Sequence, residues 1–167
     1  MLAGYDAKAV SNFILSEWDA RANKISNKKL NKLLFLSHGF CLLRTGQPLV
    51  RNHFEAWEHG PVVRAVYHEF KRFGYNPITD YARAFNYVTG RNEVCRCEIT
   101  SSLFARPFHH VVSHYIQFSA DELERMTHEP GSPWCLTRNG NQGGLGGRIP
   151  NHLILESFRK DFGGDIH

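Results

Sequence analysis

Residues 54–74 read FEAWEHGPVVRAVYHEFKRFG, and this stretch organises the rest of the chain. The pattern predicts an extended arm, a tight turn at Gly60, and an amphipathic helix that begins with Pro61 and ends at Gly74. Glycine permits the turn and a left-handed cap, and proline suits the first helical position. Apolar side chains recur at helical spacing on one face: Val62, Val63, Val66, Tyr67 and Phe70.

Aromatic and charged side chains surround this Gly-Pro turn, among them Phe54, Glu55, Trp57 and His59. Such a cluster is either a binding surface or a folding nucleus. We favour the nucleus, because an apolar stripe at helical spacing is first of all a core face. Trp57, and Trp134 further along, are therefore expected to be largely buried.

The length and composition are those of one folded unit. A chain of 167 residues with 42% hydrophobic residues can bury a genuine core and is too short for two domains to be expected. We predict a mainly α fold over residues 1–167, a single compact helical domain with a possible small β-hairpin and a core at about 5–160.

The first two helices have clear start signals. Residues 5–18 form a helix with Asp6 as its N-cap, and Ser26 caps a second helix that ends at Thr45 and Gly46. The second helix is apolar nearly all round from Leu33 onward. We therefore expect it to be the central, most buried helix.

Signals in the second half are more varied. Residues 93–99 alternate as a strand that pairs with residues 85–88, and residues 103–118 have helical spacing. Ser119 and Glu122 form a capping box for a short helix. Residues 129–147 are rich in proline and glycine and are predicted to be a loop, before a last helix that starts at Ile149 and Pro150.

Charge and cysteine usage exclude some classes of protein. The net charge is +4, and Lys28, Lys29 and Lys32 are interpreted as a solvated helix face, so nucleic-acid binding is permitted by the composition but not indicated. No membrane span or signal peptide is found, and we expect a cytoplasmic protein. The cysteines, which are predicted to be free thiols, are Cys41, Cys95, Cys97 and Cys135.

Residues that could carry chemistry do not form a catalytic set. His110 and His114 lie one helical turn apart without an obvious third metal ligand, and Cys95 and Cys97 lack the spacing of a zinc site. The glycine-rich residues 140–147 match a phosphate-binding loop in composition only. We predict no metal, no cofactor and no enzymatic activity.

Several motifs, taken in order, resemble the Panacea domain of SocA-like antitoxins and phage-associated proteins. They are YDA at 5–7, KLNKLLF at 29–35, SHGF at 37–40, TGQPL at 45–49, the stretch 54–74, SADEL at 119–123 and THEPGSPW at 127–134. The family motif residues are Glu55, Trp57, Gly60, Pro61, Thr127, His128, Pro133 and Trp134. Asn31 and Phe35 depart mildly from the family pattern, and residues 75–102 match it poorly.

The resemblance implies a mostly helical antitoxin that neutralises a cognate protein toxin by direct binding, in a toxin–antitoxin system. It implies neither an enzymatic reaction nor a cofactor. We place the partner-binding surface on an outward stripe of His59, Arg64, His68 and Arg72, since residues one helical turn apart share a face. The alternative is an uncharacterised hydrolase or nuclease that uses histidines near the Gly60 turn, His59 and His128.

Overall fold

The computed structural model describes residues 4–140 and 146–163, and helices dominate this part of the chain, as predicted. Two small antiparallel sheets accompany them. The helices are α1 (Ala7–Glu17), α2 (Asn27–Thr45), α3 (Arg64–Phe70), α4 (Ala105–Tyr115), α5 (Ala120–Thr127), α6 (Pro133–Gly140) and α7 (Asn151–Phe162). None of these helices is long and apolar enough to cross a membrane.

Helix α2 is the centre of the packing, which confirms the prediction. Every residue from Lys29 to Leu42 is buried, and the helix contacts α1, α3, α4, α5 and α7. The Ser26 hydroxyl accepts a hydrogen bond from the Lys29 amide, and Gly46 ends the helix at φ +69°. A helix that is covered on all sides needs no polar face, which explains its continuous apolar sequence.

The stretch 54–74 forms a hairpin before it forms a helix. Strand β1 (Phe54–Trp57) pairs with β2 (Gly60–Val62) and with β5 (Arg148–Ile149), in the order β2-β1-β5. The prediction that Pro61 opens the helix is wrong, since α3 begins at Arg64. Proline is tolerated in β2 because that strand lies at the edge of the sheet.

Gly74 does not form the predicted left-handed cap. Helix α3 ends at Phe70 and continues as one 3-10 turn, Lys71–Phe73. Gly74 follows this turn with φ +59° and ψ −127°, which lies outside the left-handed helical region. The helix in the structure is therefore shorter than the predicted one at both ends.

The hairpin predicted from residues 85–88 and 93–99 is present, but both strands begin two residues earlier and the second strand is shorter. Strand β3 (Arg83–Asn86) pairs antiparallel with β4 (Arg91–Val94). Beyond Arg83 and Val94, the Cys95 amide still donates to the Ala82 carbonyl at 3.0 Å, and the Asn12 side chain donates to the carbonyls of Ala82 and Cys95, both at 2.9 Å.

The later helices lie where they are predicted but have different ends, and one further helix is present. Helix α4 lies within the predicted residues 103–118, and α7 begins at Asn151 because Ile149 belongs to β5. Both hydrogen bonds of the capping box between Ser119 and Glu122 open α5.

The predicted loop 129–147 instead contains α6, where the Ser132 hydroxyl accepts from the Cys135 amide at 3.1 Å. The rest of the glycine-rich segment, residues 141–145, lies outside the described residues.

The three lysines do not form a solvated face, so that interpretation is wrong. Lys29 is buried and donates to the carbonyls of Asn23 and Ile116, both at 2.6 Å. Lys28 pairs with Asp121 and Glu124, and Lys32 is fully buried. Because this part of α2 is covered by other elements, Lys29 and Lys32 donate to backbone carbonyls instead of solvent.

Candidate partner-binding site

The carboxylate of Glu55 on β1 forms hydrogen bonds with two side chains, Trp57 on the same strand and Arg64 at the start of α3. It accepts from Trp57 Nε1 at 2.6 Å and from Arg64 Nε and Nη2 at 3.2 and 3.1 Å. The Arg64 guanidinium carbon also lies 5.8 Å from the centre of the Trp57 ring, within cation–π range. Burial works against ionisation of Glu55, but the bonds from Trp57 and Arg64 hold its pKa below the usual value.

Trp57 is half-buried, where the nucleus interpretation expects it to be largely buried. Its ring packs edge-on against Tyr67, with centroids 4.8 Å apart, and lies 6.2 Å from the ring of His68. Part of the indole therefore remains available to a partner, although its orientation is fixed from two sides.

Trp134 on α6 attaches that helix to β1. Its Nε1 donates to the Trp57 carbonyl at 2.6 Å, and Arg138 Nη1 donates to the Ala56 carbonyl at 3.0 Å. The ring of His128 stacks on Trp134 with centroids 3.8 Å apart and planes 11° apart. Trp134 is also half-buried, so neither tryptophan has the burial expected from the sequence.

Lys32 on α2 lies beneath the first hairpin. Its Nζ donates to the Pro61 carbonyl at 3.2 Å, and burial lowers its pKa to about 7. Gly60 makes room for it, since a β-carbon there would lie 2.5 Å from Lys32 Cε and 3.0 Å from the Thr127 hydroxyl. The sequence analysis did not predict that Lys32 is buried here. The signal was available, because a helix that is apolar on all sides leaves no solvent-exposed face for a lysine.

Two histidines approach the same carboxylate. His59 Nδ1 lies 3.2 Å from Glu124 Oε1, and His128 Nε2 lies 4.0 Å from the same oxygen. Burial and the nearby cations, including Lys32, lower the pKa of His128 despite the opposing Glu124 charge. The hairpin turn thus meets α5 through an acidic side chain that also pairs with Lys28.

The four predicted partner-binding residues are all exposed, but they do not form one helical row. Arg64 and His68, which both lie on α3, are on either side of the Trp57 ring. His59 lies in the hairpin turn against Glu124. Arg72 lies in the 3-10 turn, where it pairs with Asp80 at 3.5 Å and covers the ring of Phe73. The change from α to 3-10 geometry breaks the spacing on which the predicted row depends.

Residues 30–135 match the family model described as "Antitoxin SocA-like, Panacea domain". The chain belongs to this family. It is 34% identical over 160 residues to "Antitoxin SocA" of Caulobacter vibrioides (strain NA1000 / CB15N), an alignment that spans 92% of this chain and 82% of that protein. The resemblance drawn from the sequence motifs is thereby confirmed. No solved structure matches the chain.

The family match has a physical counterpart in the structure. The matched residues run from α2 to the beginning of α6 and include Lys32, Trp57, His128 and Trp134. These residues are far apart in sequence, but they meet around the first hairpin. The motif residues thus include contacts that hold the first hairpin against α2, α5 and α6.

Proposed function

We propose that this chain is an antitoxin that binds a cognate protein toxin directly and thereby neutralises it. Membership of the SocA-like family and the 34% identity to "Antitoxin SocA" support the role. The observation that carries the site is the exposed Arg64 guanidinium held over a half-buried Trp57 by the shared carboxylate of Glu55.

The arrangement has the properties of a binding hot spot. Tryptophan and arginine contribute most often to the energy of protein interfaces. Glu55 already holds the side chains of Trp57 and Arg64 in one arrangement in the free protein. Less conformational entropy is therefore lost when a partner binds. His59, His68 and Arg72 would extend the contact around this centre, from the hairpin turn to the 3-10 turn.

We infer that the protein acts by binding and not by turnover. Burial raises the pKa of the Cys41 and Cys97 thiols to about 12, so they are protonated at neutral pH and are poor nucleophiles. Both ring nitrogens of His38 are engaged, with the Asn151 side chain and the Val50 amide. These groups therefore have structural roles.

The proposal is tested with the protein encoded by the neighbouring gene, because antitoxins of this family are usually encoded beside their toxins. Cells that express that protein are scored for growth with and without this chain, and the affinity of the purified pair is measured. The variant Arg64→Gln/Arg72→Gln should weaken binding by about tenfold or more and reduce rescue. Circular dichroism should remain unchanged.

The matched control is Arg106→Gln/Arg159→Gln, which removes the same charge from exposed positions on α4 and α7. This control should bind and rescue like the unmodified chain. If the two double variants changed binding and rescue equally, Arg64 and Arg72 would not be part of the interface. Absence of rescue by the unmodified chain would contradict the antitoxin role for that pair.

One observation bears on the alternative of a hydrolase or nuclease. His59 and His128 lie near a common carboxylate, Glu124, an arrangement that general acid–base catalysis can use. Within the described residues, no group of three or more His, Cys, Asp or Glu side chains could hold a metal ion. Catalytic activity that is lost in His59→Gln and His128→Gln, with the fold intact, would favour this alternative over the antitoxin.

A further inference from the structure

The β3–β4 hairpin carries apolar side chains that the rest of the described chain does not cover. Phe85 is 50% exposed, Tyr87 90% and Val88 96%. Exposed apolar groups that cluster on one element mark interaction surfaces, whereas single ones need no explanation.

The base of this hairpin is fixed to the body of the protein. The buried Asn12 side chain donates to the carbonyls of Ala82 and Cys95 and accepts from the Ala82 amide at 2.7 Å. Glu69 accepts from the Arg83 amide at 3.0 Å, and Lys8 donates to the Arg83 carbonyl at 3.0 Å. These contacts fix the direction in which the hairpin leaves α1 and α3.

The tip is ordered by its own side chains. Asn86 Oδ1 accepts from the Val88 amide at 2.9 Å, while the Glu93 carboxylate accepts from Asn86 Nδ2 at 2.9 Å and from the Thr89 hydroxyl at 2.7 Å. The rings of Phe85 and Tyr87 pack edge-on, 5.0 Å apart. Ordering before contact reduces the entropy that binding costs.

The charge of the hairpin is basic. Arg91 lies beside the turn, Arg83 at the base of β3, and Arg96 just after β4. Arg83, Arg91 and Arg96 are exposed, and none of them forms an ion pair with any residue in the part of the chain that the structure describes. The acidic side chain of this hairpin, Glu93, is occupied by Asn86 and Thr89. A complementary surface would therefore present carboxylates around an apolar pocket.

We propose that the hairpin tip, defined as Phe85, Tyr87 and Val88, is a second contact with the toxin partner and enters an apolar pocket bordered by carboxylates. This inference rests on the proposed function. One detail favours a protein over a nucleic acid. Val88, the most exposed side chain of the tip, is aliphatic and offers a base no ring to stack on, whereas an apolar pocket would cover it. Repulsion between basic hairpins disfavours a second copy of this chain.

The experiment uses the full chain and the product of the neighbouring gene. Tyr87→Ser/Val88→Ser should raise the Kd about tenfold or more and reduce growth rescue, with the melting temperature unchanged because neither side chain is covered. The matched control is Tyr75→Ser, which alters a side chain that is 92% exposed after the 3-10 turn. The control should bind like the unmodified chain. Arg83→Gln/Arg91→Gln should weaken the salt dependence of binding.

The outcomes separate this inference from the proposed function. If the unmodified chain binds and rescues, and the tip variant does the same, the hairpin is not a contact and only this inference fails. If the unmodified chain neither binds nor rescues, both fail. Sedimentation that shows tip-dependent self-association, or tip-dependent binding to a 30-base oligonucleotide, with unchanged rescue would assign the tip to another partner and overturn the inference.

Discussion

The indole Nε1 of Trp134 donates a hydrogen bond to the backbone carbonyl of Trp57, at 2.6 Å and across 77 positions of sequence. This bond joins α6 to β1, the central strand of the three-stranded sheet. It therefore couples the THEPGSPW motif to the FEAW motif. The position of the Trp57 ring, and with it that of Arg64, depends on how firmly α6 is docked.

Trp134→Phe should lower the free energy of unfolding by about 1–3 kcal/mol, because the Trp57 carbonyl loses its donor while the aromatic ring is kept. Urea denaturation measures the change. Leu136→Ala, on the exposed side of the same helix, should change stability by about 0.5 kcal/mol or less. Equal values for the two variants would mean that the Trp134–Trp57 bond does not stabilise the docked helix.

Gly60→Ala should be more destabilising than Gly46→Ala, although both glycines have positive φ, +109° and +69°. Each alanine has a backbone cost of about 1–2 kcal/mol at positive φ. At Gly60 the new β-carbon also meets Lys32 Cε at 2.5 Å, whereas at Gly46 nothing lies within 4 Å. Melting curves of the two variants test the difference, and equal losses would show that Lys32 moves aside freely.

The structure explains which elements the sequence could predict. Helices α1, α2 and α5 have local signals in Asp6, Ser26 and Ser119, and each of these caps is present. The β3–β4 hairpin is also local, since its strands are separated by a four-residue turn. Local signals of this kind need no knowledge of distant partners.

Several of the errors concern residues whose contacts come from distant parts of the chain. Gly60 and Pro61 have the composition of a helix start, but they pair with β1 in a sheet that β5 completes from nearly 90 residues further on. Lys32 resembles a surface lysine until α5 and the hairpin cover it. The contact of Trp57 with Trp134 likewise requires the folded chain, so the motif residues could be named but their arrangement could not.

His38 should make the protein less stable in mild acid. Its Nε2 donates to Asn151 at 2.8 Å and its Nδ1 accepts from the Val50 amide, so the buried ring is held neutral, with its pKa lowered to about 4. Between that value and the unfolded pKa of about 6.5, the unfolded state binds more protons, so stability falls as the pH decreases. The loss should total about 3 kcal/mol by pH 4.

Urea denaturation from pH 4 to pH 7 measures this dependence. His38→Gln should lose this part of the slope, because glutamine does not titrate. His110→Gln, at an exposed position on α4, should keep the slope of the unmodified chain. An unchanged slope in His38→Gln would assign the acid sensitivity to other groups.

Lys32 should make stability increase with pH above neutrality. Its folded pKa of about 7 lies below the unfolded value of 10.5, so between the two the unfolded state binds the extra proton and stability rises with pH. The slope of one such group approaches about 1.4 kcal/mol per pH unit.

Lys32→Met, which keeps the length of the side chain but cannot titrate, should show a flatter profile of stability from pH 7 to 9.5. Its gain in stability relative to the unmodified chain should be greatest at pH 7. Lys160→Met, at an exposed position on α7, should retain the original slope. If Lys32→Met also retained it, Lys32 would be charged in the folded protein, and the Pro61 carbonyl of the hairpin would be accepting from a buried ammonium ion.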